Sequence, residues 1–191
     1  MKKTTSWMVC AVVLMTAMTV RADILTFTMN NVGSDVVATI SGSVNTDALT
    51  VHQINYTDSG AVWAAQGVLA VGSEHSLWRW TGFASETSSF GSGVYYKADS
   101  STDDYASVNF LQLSLYLPKD YVSGSALSGT STWNDVSVDA PLYIVPGTYT
   151  MTYNGGADSI VVNVIPEPAT ALIVALGGGL LALFRRFYSR F

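Results

Sequence analysis

The stretch Gly147-Thr148-Tyr149-Thr150-Met151-Thr152-Tyr153-Asn154-Gly155-Gly156-Ala157-Asp158-Ser159-Ile160-Val161-Val162-Asn163-Val164-Ile165 decides the fold class. Tyr149, Met151 and Tyr153 alternate with Thr148, Thr150 and Thr152. A period of two sends the first set to one face of a strand and the second to the other. Aromatic and β-branched side chains suit such a pleated, half-buried surface. Asn154 to Asp158 reads as a turn, because Asn and Gly tolerate positive φ. A second strand comes next over Ile160 to Ile165, and Pro146-Gly147 forms a turn ahead of the first.

The same period recurs along the middle of the chain. Leu25, Phe27 and Met29 alternate with Thr26 and Thr28, and Leu111, Leu113, Leu115 and Leu117 with Gln112, Ser114 and Tyr116. Helix formers are sparse. Nine or ten strands with turn signals between them predict an all-β domain over residues 23–164, an antiparallel β-sandwich of jelly-roll type. The polar, Ser-, Gly- and Asp-rich section from Ala84 to Ser107 is expected to be a long loop or a broken sheet edge. No internal repeat is visible.

Charge narrows the function classes. Charged residues are 12% of the 191, about half the usual share, and they are segregated. Between Asp23 and Val164 only Arg79, Lys97 and Lys119 are basic, against thirteen acidic residues, a formal charge of −10. Nucleic acid is therefore not expected as a partner, since phosphate backbones need clustered Lys and Arg. The one cysteine, Cys10, lies in the N-terminal apolar run, so the middle region has no disulfide, thiolate metal site or cysteine nucleophile.

The two ends read as targeting segments. Residues 1–22 have the form of a secretory signal peptide: Lys2 and Lys3, an apolar run of 14 residues from Trp7 to Val20, and small residues at Val20 and Ala22. Signal peptidase is expected to cut between Ala22 and Asp23. Residues 165–191 contain Pro166-Glu167-Pro168, an apolar run over 169–184, and a basic tail over 185–191 led by Arg185-Arg186. The run is roughly 24 Å long as a helix. Snorkelling arginines extend it toward a hydrocarbon core of about 30 Å, making it a transmembrane helix. The positive-inside rule keeps Arg185 and Arg186 cytoplasmic and places the middle region across the membrane, as the signal peptide also requires. The two prolines hold the segment outside the membrane extended, the form a protease needs.

Pro166-Glu167-Pro168-Ala169-Thr170, the apolar span and the terminal arginines resemble the PEP-CTERM sorting signal of Gram-negative bacteria. The resemblance implies recognition by a membrane-embedded exosortase, cleavage near the motif, and delivery to the cell envelope or extracellular matrix, often beside exopolysaccharide. Ser123 to Gly129, Pro146 to Thr150 and Asp158 to Ile160 are also similar to the last third of many such precursors, which brings no known activity.

Candidate chemistry in the middle is thin. His52 and His75 have no metal-binding spacing, and no Gly-x-Ser-x-Gly elbow accompanies them. Asp99, Asp103 and Asp104 are spaced like the start of a calcium loop but lack its Gly and distal Glu. No metal or other cofactor is expected. Trp78 and Trp80, two apart, share one face of a strand, where they either fill the core or stack on sugar rings. The Thr148-Thr150-Thr152 row appears once, whereas a flat ice-binding face needs it repeated. The expected function is a non-catalytic exported surface or matrix protein sorted through its tail. The alternative is a carbohydrate-binding module of the same architecture. Mass analysis of the exported protein should give an N-terminus at Asp23; a mature chain that retains Trp7 would refute the signal peptide.

Overall fold

The alternating segments fold into strands in a computed structural model that describes residues 22–165. The signal peptide up to Arg21, and the tail with Pro166, Glu167, Pro168, Arg185 and Arg186, lie outside the described residues, as does the expected span over 169–184. No helix among the described residues is long and apolar enough to cross a membrane. Thirteen strands are formed among them: β1 (Ile24–Val32), β2 (Asp35–Ser43), β3 (Thr50–Asp58), β4 (Ala61–Trp63), β5 (Val68–Val71), β6 (His75–Thr81), β7 (Tyr95–Lys97), β8 (Ser100–Asp103), β9 (Ala106–Asn109), β10 (Ser114–Pro118), β11 (Ala126–Trp133), β12 (Gly147–Tyr153) and β13 (Asp158–Ile165).

They make two sheets, one of six strands in the order β12-β13-β1-β2-β11-β8 and one of seven in the order β3-β6-β10-β9-β5-β4-β7. The core lies between them. Leu25, Phe27 and Met29 of β1 and Ile160, Val162 and Val164 of β13 face Val62, Leu69, Val108, Leu115 and Leu117 of the larger sheet, all of them buried. This is the all-β sandwich that period-two patterning calls for. One pair departs from the expected antiparallel order: β1 and β13 run parallel, with Ile24 beside Ser159 and Asn30 beside Ile165. The section from Ala84 to Ser107 supplies a short edge strand to each sheet, β7 and β8.

The leucine series needs correction. Leu115 and Leu117 are fully buried, but Leu111 is 52% exposed and Leu113 sits at φ 48°, partly buried against the core. Ser114 pairs with Asn109, so residues 110–113 form the turn between β9 and β10. Asn109 Oδ1 accepts the Gln112 N–H at 2.8 Å and closes that turn. Phe110, 1% exposed, takes the core position instead, its N–H donating to the Gly67 carbonyl at 2.9 Å. Alternation alone does not distinguish a strand from a strand preceded by a turn.

The chain changes sheets between β8 and β9, within Asp104 and Tyr105. Asp103 there adopts φ 62°, a left-handed conformation that Asp tolerates better than most residues. Leu115→Ala should lower stability by about 2–5 kcal/mol through cavity formation, whereas Leu111→Ala should stay within about 0.5 kcal/mol. Urea titration of the two variants checks the register of this turn.

Candidate aromatic groove on the seven-stranded sheet

The outer face of the seven-stranded sheet is set by the register. Leu115 and Leu117 point into the core, so Tyr116 points out. Across the sheet Tyr116 is flanked on one side by Arg79 and His52, and on the other by Ser107, Ala70, Ala61 and Lys97. A neighbouring row runs Thr50, Thr81, Ser114, Asn109, Val68, Trp63, Tyr95. These two rows frame a groove of about 450 Å³. Ala61, Tyr105 and Tyr116 line it, and they belong to a small apolar cluster, separate from the main core, that also contains Ala70 and Leu77.

Aromatic rings form the walls. Trp63 and Tyr95, cross-strand partners on β4 and β7, meet edge to face with centroids 6.5 Å apart and planes at 87°. Both are exposed, as is Tyr56 on the opposite side. Tyr56 reaches the groove through an irregularity in β3, whose register against β6 shifts between Gln53 and Tyr56. Such a bulge re-aims a side chain that strict pairing would send elsewhere.

Asp58 holds the tyrosines in place. Its Oδ2 accepts the Tyr56 hydroxyl at 3.2 Å and the Tyr105 hydroxyl at 3.3 Å, and its Oδ1 accepts the Ser59 N–H at 2.9 Å. Partial burial, then the Asp58 charge, pushes the Tyr56 phenol up to about 12. Burial and Asp58 also raise Tyr95, and they raise the fully enclosed Tyr105 well above its ordinary value. The phenols thus stay neutral, with an apolar face and a polar rim. On the other side the Tyr116 hydroxyl donates to Gln112 Oε1 at 3.1 Å.

Ser114 Oγ in the neighbouring row has no such partner, and neither has Arg79. Its Nε is buried and has no hydrogen-bond partner. An orphaned buried donor costs about 1–3 kcal/mol, a cost that an acceptor reaching it would relieve.

The residues singled out from sequence fall elsewhere. Trp78 pairs with Leu117 and Trp80 with Leu115, which places both on the inward face, and Trp80 packs against the main core. That face is turned away from the groove. Asp99 Oδ2 accepts the Asn134 N–H at 2.8 Å, Asp103 Oδ2 the Thr102 hydroxyl at 3.0 Å, and Asp104 Oδ2 the Ser128 N–H at 3.0 Å. The three carboxylates serve separate donors, and no group of three or more His, Cys, Asp or Glu among the described residues is placed to hold a metal. His52 Nε2 contacts the Thr81 hydroxyl at 3.1 Å and His75 Nδ1 the Ser73 carbonyl at 3.0 Å. Thr148, Thr150 and Thr152 border a shallow polar depression with Ser85 and Thr87.

Sequence reasoning missed Tyr56, Trp63, Arg79, Tyr95 and Tyr116. One signal was available: in Trp78-Arg79-Trp80, inward tryptophans force the arginine outward. Compared with family models, curated proteins and solved structures, the chain matches none.

Tyr56 has a folded-state pKa above its unfolded value near 10, as do Tyr95 and Tyr105. Their contribution to stability is therefore complete below pH 10 and is lost as pH rises above it, for Tyr56 through about 12. Tyrosinate absorbance should show Tyr56 ionising near 12 and Tyr105 only on unfolding. Full ionisation of all ten tyrosines near pH 10 in the folded protein would contradict the groove's hydrogen bonding.

Proposed function

We propose that this chain is an exported, non-catalytic envelope or matrix protein whose β-sandwich binds polysaccharide in the aromatic groove of its seven-stranded sheet. The observation that carries this reading is the solvent-facing set of Trp63, Tyr95, Tyr56 and Tyr116, which line the groove with the buried Ala61 and Tyr105. Sugar rings present apolar C–H faces edged by hydroxyls. Rigid amphipathic rings with satisfied hydroxyls match them at little entropic cost. None of the four side chains belongs to the main core, whose buried rings are those of Phe27, Phe83, Phe90, Phe110, Trp133 and Tyr153.

Export is the second half of the proposal. The signal peptide leads the chain to signal peptidase, and the PEP-CTERM tail, with Pro166-Glu167-Pro168 outside the membrane and Arg185-Arg186 inside, leads it to an exosortase. The local structure at the expected first cut supports this. The Asp23 main-chain nitrogen lies 2.9 Å from Oδ1 of Asp158, which is 3% exposed. Cleavage before Asp23 turns that amide into an ammonium facing a buried carboxylate, a stronger charge-assisted bond. Ile165, where the tail begins, ends β13, which lies in the six-stranded sheet between β12 and β1. The groove, on the outer face of the larger sheet, is left free for a ligand.

A glycan array with the exported protein tests the binding. Trp63→Ala should weaken capture about thirtyfold, the ratio for an aromatic hot spot of about 2 kcal/mol, with no change in Tm. Trp80→Ala should instead lower Tm and leave the affinity of the folded fraction intact. An array on which no saccharide binds would refute the proposal.

A further inference from the structure

We infer that the saccharide taken by the groove is acidic, with a uronic-acid carboxylate received by Arg79. This rests on the polysaccharide-binding reading and adds the ligand's charge to it.

Three observations carry it. First, Arg79 is unpartnered: its buried Nε has no acceptor, and among the described residues no hydrogen bond or ion pair of its side chain is formed. Second, the nearby acid does not serve it. Asp58 is occupied by Tyr56, Tyr105 and the Ser59 N–H. A planar guanidinium that lines the groove with its Nε unpaired matches the fork geometry of a carboxylate better than a single hydroxyl.

Third, the scarce positive charge of the domain is gathered here. Of the three basic residues between Asp23 and Val164, two, Arg79 and Lys97, share one register row on the outer face, with Tyr116, Ser107, Ala70 and Ala61 between them. Five strand spacings separate them, roughly 24 Å. His52 extends the same row beyond Arg79. A polymer lying across the strands would meet both cations and the rings between them. Elsewhere the surface is strongly acidic and repels such a polymer, so the row also fixes where it can bind.

The test uses the exported protein with polygalacturonate and with fully methyl-esterified polygalacturonate, the same backbone without its charge. The expected result is at least tenfold tighter binding of the acid form, weakened by added salt. Arg79→Gln should bring the acid form down to the affinity of the ester, and Lys97→Gln should reduce it less. Arg79→Lys, which keeps the charge without the fork, should fall between and guards against loss of folding, with Tm measured for each variant. Equal or tighter binding of the ester would overturn the inference and leave the polysaccharide reading standing. A preference for the acid form that Arg79→Gln does not change would overturn the assignment to Arg79. Failure of both polymers, and of every saccharide on a mixed neutral and acidic array, would overturn the polysaccharide reading and this inference with it.

Discussion

The fold depends on one corner, Asp103-Asp104-Tyr105, where the chain leaves the smaller sheet and enters the larger one. Two residues are too few for a loose loop, so the main chain there must be held from both sides. Asp104 and Ser128 exchange bonds, the Asp104 N–H donating to the Ser128 carbonyl and the Ser128 N–H to the Asp104 carboxylate, each at 3.0 Å. The Asp103 carbonyl accepts the Ser73 N–H from the opposite sheet at 3.3 Å. Beside them the buried Ser131 hydroxyl accepts the Gly72 N–H at 3.0 Å and bonds Ser101 at 2.8 Å, tying β11 and β8 to the segment after β5. Gly72 and Gly129 flank the Asp104 carbonyl so closely that a Cβ on either would overlap it. Here, then, glycine is required by approach of backbone to backbone.

The corner sets which way each residue of β9 faces. Tyr105 emerges from it fully buried on the outer side, beneath the groove, and Ala106 points to the core. A residue of slack would reverse that alternation and carry Tyr105 into the core and its neighbour out to solvent. The Tyr105 hydroxyl then anchors Asp58, and Asp58 anchors Tyr56. One wall of the groove is thereby referred back to the crossing between sheets. The other wall, Trp63 and Tyr95, is held by ordinary strand pairing of β4 with β7. The Trp133 indole adds a link at 3.2 Å from its N–H to the Tyr96 carbonyl.

Period-two patterning made β1 and β12 legible, because one face of each is buried and the other is largely polar. Turn chemistry carried the reversal read over Asn154 to Asp158, where Asn154 and both glycines have positive φ, although β13 already begins at Asp158. Alternation failed at Leu111 and Leu113, where a four-residue turn happens to share the alternation of the strand after it. The acidic run Asp99 to Asp104 has the spacing of a calcium loop's start, but its carboxylates serve separate donors, main-chain N–H groups for Asp99 and Asp104 and a hydroxyl for Asp103. The groove was illegible because its residues come from β3, β4, β6, β7 and β10. Their proximity is created by strand order, and strand order has no local signature.

Arg79 shows how a single constraint divides a strand between folding and binding. In Leu77-Trp78-Arg79-Trp80-Thr81 the two tryptophans are committed to the inward face by the leucines they oppose on β10. The residue between them must face outward whatever its chemistry. A small apolar side chain there would leave no such donor, as Ala70 shows three strands away in the same row. An arginine whose Nε is buried without a partner is a net loss to the folded domain on its own. It lies beside satisfied tyrosines, on a domain that carries only two other positive charges between Asp23 and Val164. A ligand with an acceptor to offer would remove the penalty that folding leaves at that Nε.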